Sequence, residues 1–237
     1  MEKAVAAAAP AVEQSLVACA AAACCGSDPA TGIPAAVASH LLQAALLSHV
    51  TLPGFGLGVQ AEPLWAGTGE ASAILAGDAL IPLAMRLLAR TGFLGPGLVR
   101  EAAAILGRQA LAGLSLELDL PGRAAPDRAD EAWRTHAGSI CLFAAGAGAL
   151  AAGADGPAAG RARTMGLAFG RACTLLLMPS CPSRAGMGGQ AALEAARALF
   201  REAVETAWSP AGARIAEALA ERVLARSEGG ADLFEGI

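Results

Sequence analysis

Residues 34–50 contain no aspartate, glutamate, lysine or arginine, and the run is apolar whichever side of a helix is considered. A helix without a polar face has to be enclosed by other elements. The rest of the chain repeats the theme. Stretches rich in alanine and leucine alternate with Gly and Pro, which predicts helices over 12–25, 34–50, 70–90, 96–118, 127–153, 157–178, 193–206 and 211–227. Glycines 107 and 113 inside the fourth are expected to mark tight helix contacts. Hydrophobic residues make up 55% of the 237 and aromatics 4%, with no tyrosine. That composition favours close-packed helices over sheets, whose strands draw on β-branched and aromatic residues. The length suffices for a sizeable core, and no linker or repeat divides it. One all-α domain spanning 1–237 is therefore expected.

Charge narrows the function. The net charge is −4, with no basic block, which argues against a nucleic-acid partner. Lys3 is the only lysine, so a site gripping diphosphate through several lysines is excluded. Cys19, Cys24, Cys25, Cys141, Cys173 and Cys181 show no zinc spacing and are read as small apolar residues in a reducing cytoplasm. Leu16-Val17-Ala18-Cys19 matches a lipoprotein cleavage box, but Glu2, Pro10 and Glu13 interrupt the stretch before it, so a cytoplasmic location is expected. Residues 137–154 are uncharged but dominated by Ala and Gly, which reads as a buried helix and not a membrane span. Asp127, Asp130 and Glu131 form the only acidic group with helical spacing. They follow Pro126 and suit the capping of a helix start. Arg171, in an apolar helix, needs a partner: Glu70, Asp78, Glu117 or a bound anion.

Three motifs stand in a fixed order. Leu47-Ser48-His49-Val50-Thr51-Leu52-Pro53 comes first, Leu75-Ala76-Gly77-Asp78-Ala79-Leu80 second, and Gly166-Leu167-Ala168-Phe169 third, running on to Cys173-Thr174-Leu175-Leu176-Leu177. This sequence resembles the trans-prenyltransferases, the polyprenyl diphosphate synthases. The resemblance implies an isoprenoid synthase helical bundle around a central cavity, shortened relative to the family. It also implies which residues are missing. Val50, Thr51 and Gly56 stand in the first aspartate-rich motif, and Cys173, Thr174 and Leu177 in the second. The basic residues that the family carries near its amino terminus are absent around residues 11–16. Ala45, His49 and Phe169 occupy positions that would line the cavity.

Family members ionise an allylic diphosphate with magnesium held between the two carboxylate clusters. Magnesium demands hard oxygen ligands in near-octahedral geometry, and valine, leucine and cysteine offer none. The expectation is a homologue with no catalytic residues, no metal ligands and no cofactor. It would act as a homodimer, or as a heterodimer with an active polyprenyl synthase subunit, or by binding an apolar isoprenoid. Asp78 and His49 are read as packing residues of the bundle.

Overall fold

The computed structural model describes residues 12–50, 52, 64–91, 94–118, 126–177 and 188–228; the side chains of 50, 108–118, 126–137, 177 and 228 lie outside that description. These residues form nine α-helices and no strand: α1 Val12–Cys24, α2 Ile33–Val50, α3 Leu64–Thr68, α4 Glu70–Ala89, α5 Gly95–Leu118, α6 Pro126–Ala151, α7 Gly156–Leu177, α8 Gly189–Thr206 and α9 Pro210–Glu228. A single 3₁₀ turn, Pro29–Gly32, leads into α2. All eight expected helices are present, with ends that coincide or shift by up to four residues. The turn and α3 were not expected, because one turn of helix is too short to show periodicity.

Local chemistry fixes the ends. Gly26 follows α1 at φ +77°, a conformation that side chains disfavour. Asp155 caps α7, its Oδ1 accepting the Ala158 N–H at 2.8 Å. Ser209 caps α9 by accepting the Gly212 N–H at 3.2 Å and donates its own hydroxyl to the Ala23 carbonyl at 3.0 Å. One serine thus starts α9 and ties it to the end of α1.

α1 is the helix that the others surround. It packs against α2, α6, α7, α9 and the 3₁₀ turn, and Val17, Ala18, Ala20, Ala21 and Ala22 have no exposed surface. Backbone-to-backbone closeness makes this possible. A Cβ on Gly148 of α6 would overlap the Ala18 carbonyl, and one on Gly32 would come within 2.6 Å of the same oxygen. α6 and α7 form another extensive pair, approaching closely at Gly166 against the Cys141 carbonyl. α8 closes over α7, with Phe169 edge-on to Phe200 at 5.0 Å. α4 packs against α2 and α5 at the margin.

Residues 34–50 are largely enclosed, with Val37 alone exposed among the side chains described there, and α1 is buried on nearly every side. One sequence expectation needs correction. Gly107 marks no tight contact, since nothing lies within 4 Å of where its Cβ would be; the surroundings of Gly113 lie outside the described residues. The uncharged run near 137–154 does form a buried segment of α6, with Cys141, Phe143 and Ala147 fully enclosed.

The close approach at α1 is testable. Gly148→Ala should destabilise the fold by about 1–3 kcal/mol through overpacking. Gly160→Ala, at a helical position with nothing within 4 Å, should stabilise it by about 0.5–1 kcal/mol. Urea midpoints of the two variants should move in opposite directions.

Candidate functional site at the ends of α2 and α7

The last turn of α7 carries the second vacated motif. Cys173 has no exposed surface and Thr174 is 3% exposed. Thr174 Oγ1 donates to the Gly170 carbonyl at 2.9 Å, so its hydroxyl hydrogen is spent on its own helix. Burial is the main cause that pushes the Cys173 thiol well above its ordinary value. The Cys141 thiol and the Glu13 carboxylate add to this, and Arg226 works against it. Burial also raises the Cys141 thiol. Both thiols are therefore protonated and weak as ligands or nucleophiles. Leu177 ends α7, with its side chain outside the described residues.

Val50 ends α2 and its side chain is likewise outside the description, as are Thr51 and Gly56. Ala45 is 1% exposed in the α2 core. His49 turns towards α4. Its Nε2 lies 3.3 Å from the Ile74 carbonyl and 3.4 Å from Asp78 Oδ1. A Cβ on Gly77 would overlap that imidazole, so glycine at 77 makes the space in which His49 sits. His49, Gly77 and Asp78 work as one device that joins α2 to α4. Phe169 has no exposed surface and spends one ring edge on Phe200.

The sequence reading missed the charge cluster beside Cys173. Glu13, the only charged residue of α1, is 1% exposed. Its Oε1 accepts from Arg226 Nη2 in a short contact and from Arg222 Nε at 3.3 Å. Its Oε2 is buried without a hydrogen-bond partner. The available signal was a lone acid in an uncharged helix and two arginines at i, i+4 near the chain's end, a pattern that specifies no pairing by itself. Arg171 lies on the same helix as Cys173. Asp78 is engaged by His49, and Arg171 Nε is buried without a partner.

These donors do not fit magnesium. A protonated buried thiol and a self-bonded hydroxyl are poor ligands for a hard cation. Among the described residues, no three His, Cys, Asp or Glu side chains gather in a way that could hold an ion.

No protein-family model matches the sequence, and no curated protein matches it. Solved structures do. A geranyltranstransferase from Thermotoga maritima is 20% identical with a TM-score of 0.72, covering 91% of this chain and 84% of that one. The geranyl diphosphate synthase small subunit of Antirrhinum majus is 20% identical with a TM-score of 0.69, covering 88% and 82%. A mint heterotetrameric geranyl pyrophosphate synthase is 21% identical with a TM-score of 0.67, covering 87% and 81%. The chain has the isoprenoid synthase fold.

The buried thiols make a pH prediction. A thiol whose folded value lies above its unfolded value of 9.0 keeps its proton longer in the native state. Its stabilising contribution is complete below pH 9.0 and falls as pH rises from there towards the folded value. The fall should be roughly 1 kcal/mol per pH unit for each thiol. The chain has no tyrosine and one lysine, so the decline in this window belongs mainly to cysteines, with Cys19, Cys24 and Cys25 also raised by burial. Urea titrations between about pH 8 and pH 10.5 should show the decline, and Cys141→Ala with Cys173→Ala should make it shallower, leaving the share of Cys19, Cys24 and Cys25.

Proposed function

We propose that this chain is a catalytically inactive homologue of the polyprenyl diphosphate synthases. It acts by assembly, as a non-catalytic subunit that pairs with a second copy or with an active synthase. The observation carrying this reading is the state of Cys173 and Thr174. They stand where the resemblance calls for metal carboxylates, and both are sealed within the bundle beside the Glu13–Arg226 pair. A diphosphate leaving group is a multiply charged anion. Its departure depends on cationic stabilisation worth several kcal/mol that magnesium would otherwise supply. Here the residues able to hold the ion are missing from both motifs.

Support for a subunit role comes from the similar structures, one of which is named a small subunit and another heterotetrameric. The alternative of an isoprenoid-binding protein needs open space beside Ala45 and Phe169. Their near-complete burial weighs against it. The five described cysteines are free thiols, consistent with a reducing cytoplasm as the site of action.

The test is direct. Purified protein incubated with allylic and homoallylic diphosphates and magnesium should release no pyrophosphate above the protein-free blank. Addition to an active trans-prenyltransferase should change its product-length distribution. Sustained turnover by the chain alone, at rates typical of enzymes, would falsify the reading.

A further inference from the structure

α1 ends at two adjacent thiols of different depth. Cys24 is 4% exposed, whereas Cys25 is half-buried. Their sulfurs serve different neighbours. That of Cys24 is pressed against the start of α9, where a Cβ on Gly212 would overlap it, so glycine at 212 leaves room for the sulfur. That of Cys25 turns to α6 and donates to the Ala149 carbonyl at 4.0 Å. The end of α1 thus meets α9 through one thiol and α6 through the next.

The backbone between the two is where the helix stops. Cys25 is the first residue beyond α1, with its N–H on the Ala22 carbonyl at 3.0 Å, and Gly26 follows at φ +77°. Turning the Cys24–Cys25 peptide therefore disturbs a helix end and no helix interior. We propose that Cys24 and Cys25 close to a reversible vicinal disulfide by exchange with a small disulfide of the glutathione class, and that closure withdraws the Cys24 sulfur from the start of α9.

Cys25, the more accessible thiol, gives its proton to solvent, and its thiolate attacks one sulfur of the small disulfide while the other leaves as a thiolate. Cys24, deprotonated in turn, attacks the Cys25 sulfur and expels the second small thiolate. Two protein thiols and one small disulfide become one protein disulfide and two small thiols, and two electrons pass to the small molecule. Burial raises both protein thiols; the Trp208 and Ser209 N–H groups oppose this at Cys24, and Arg161 opposes it at both. Exchange is therefore slowed by burial but still aided by fixed donors and a cation. The product is strained. Neighbouring Cα atoms stand about 3.8 Å apart, closer than the roughly 4.4–6.8 Å that most disulfides span. Strain makes a disulfide easy to reduce, which suits a switch better than a staple. Closure draws Cys24 away from Gly212 and Cys25 away from Ala149, and leaves the Ser209 bond to the Ala23 carbonyl as a tie at this end.

The experiment uses the full chain carrying Cys19→Ala and Cys181→Ser, which leaves Cys24, Cys25, Cys141 and Cys173 as its thiols. It is incubated with oxidised glutathione, quenched in acid and weighed intact, with circular dichroism to confirm that it is folded. The mass should fall by two hydrogens with no glutathione retained, fragmentation should place the bond between Cys24 and Cys25, and dithiothreitol should reverse it. Amide hydrogen exchange at residues 209–213 should quicken while that of α5 stays unchanged. Adding Cys24→Ser should trap one glutathione on Cys25, and adding Cys25→Ser should prevent uptake. The proposal is overturned if the chain with both thiols stays reduced or keeps glutathione, if the bond maps to Cys141 or Cys173, or if the disulfide closes with no change in exchange at 209–213. None of these readouts depends on whether the chain turns over diphosphates.

Discussion

The Ala18 carbonyl is the point from which the bundle is organised. Gly148 of α6 and Gly32 of the 3₁₀ turn both press against it, at distances no side chain would permit. Such contacts replace large interlocking side chains with many short-range dispersion contacts between backbones. That is how a chain with 4% aromatic residues closes a core. Once α6 and the turn are seated on α1, the positions of α7 and α2 follow, because each packs on one of those elements. α9 is then fastened along α1 at both ends, by Ser209 at one and by Glu13 at the other.

The same small-residue packing set the limits of what could be read beforehand. Helix ends were legible because Gly and Pro impose them, as Gly26 does after α1. Relative burial was not. In α1 the sequence Ala20-Ala21-Ala22-Ala23 offers no contrast between faces, so nothing distinguishes a helix surrounded by neighbours from one lying at the margin. Residues 34–50 were legible as an enclosed helix because they lack a polar face, but that says nothing of how closely alanine and glycine let α1 be surrounded. Gly107 misled for the same reason: a glycine is silent about whether a neighbour is present.

At the candidate site, the sequence located the motif residues but not the partners they would find. His49, Gly77 and Asp78 were legible as separate motif residues. Only the fold shows that they form one joint, with the glycine shaping the pocket for the ring. The Glu13–Arg226 pair was invisible because its members lie 213 positions apart. Neither residue belongs to a recognisable motif, and a lone charge in an apolar helix is compatible with many partners.

That pair also sets the electrostatics around Cys173. A buried anion must be matched by a nearby cation or its desolvation goes uncompensated. Glu13, buried in α1, is matched by Arg226 and by the more exposed Arg222. Restoring aspartate at Cys173 alone would set a second buried carboxylate within electrostatic reach of Glu13, where like charges oppose ionisation of both. Cys173, Glu13 and Arg226 are therefore coupled, and the environment of Cys173 is a property of the whole α1–α7–α9 contact.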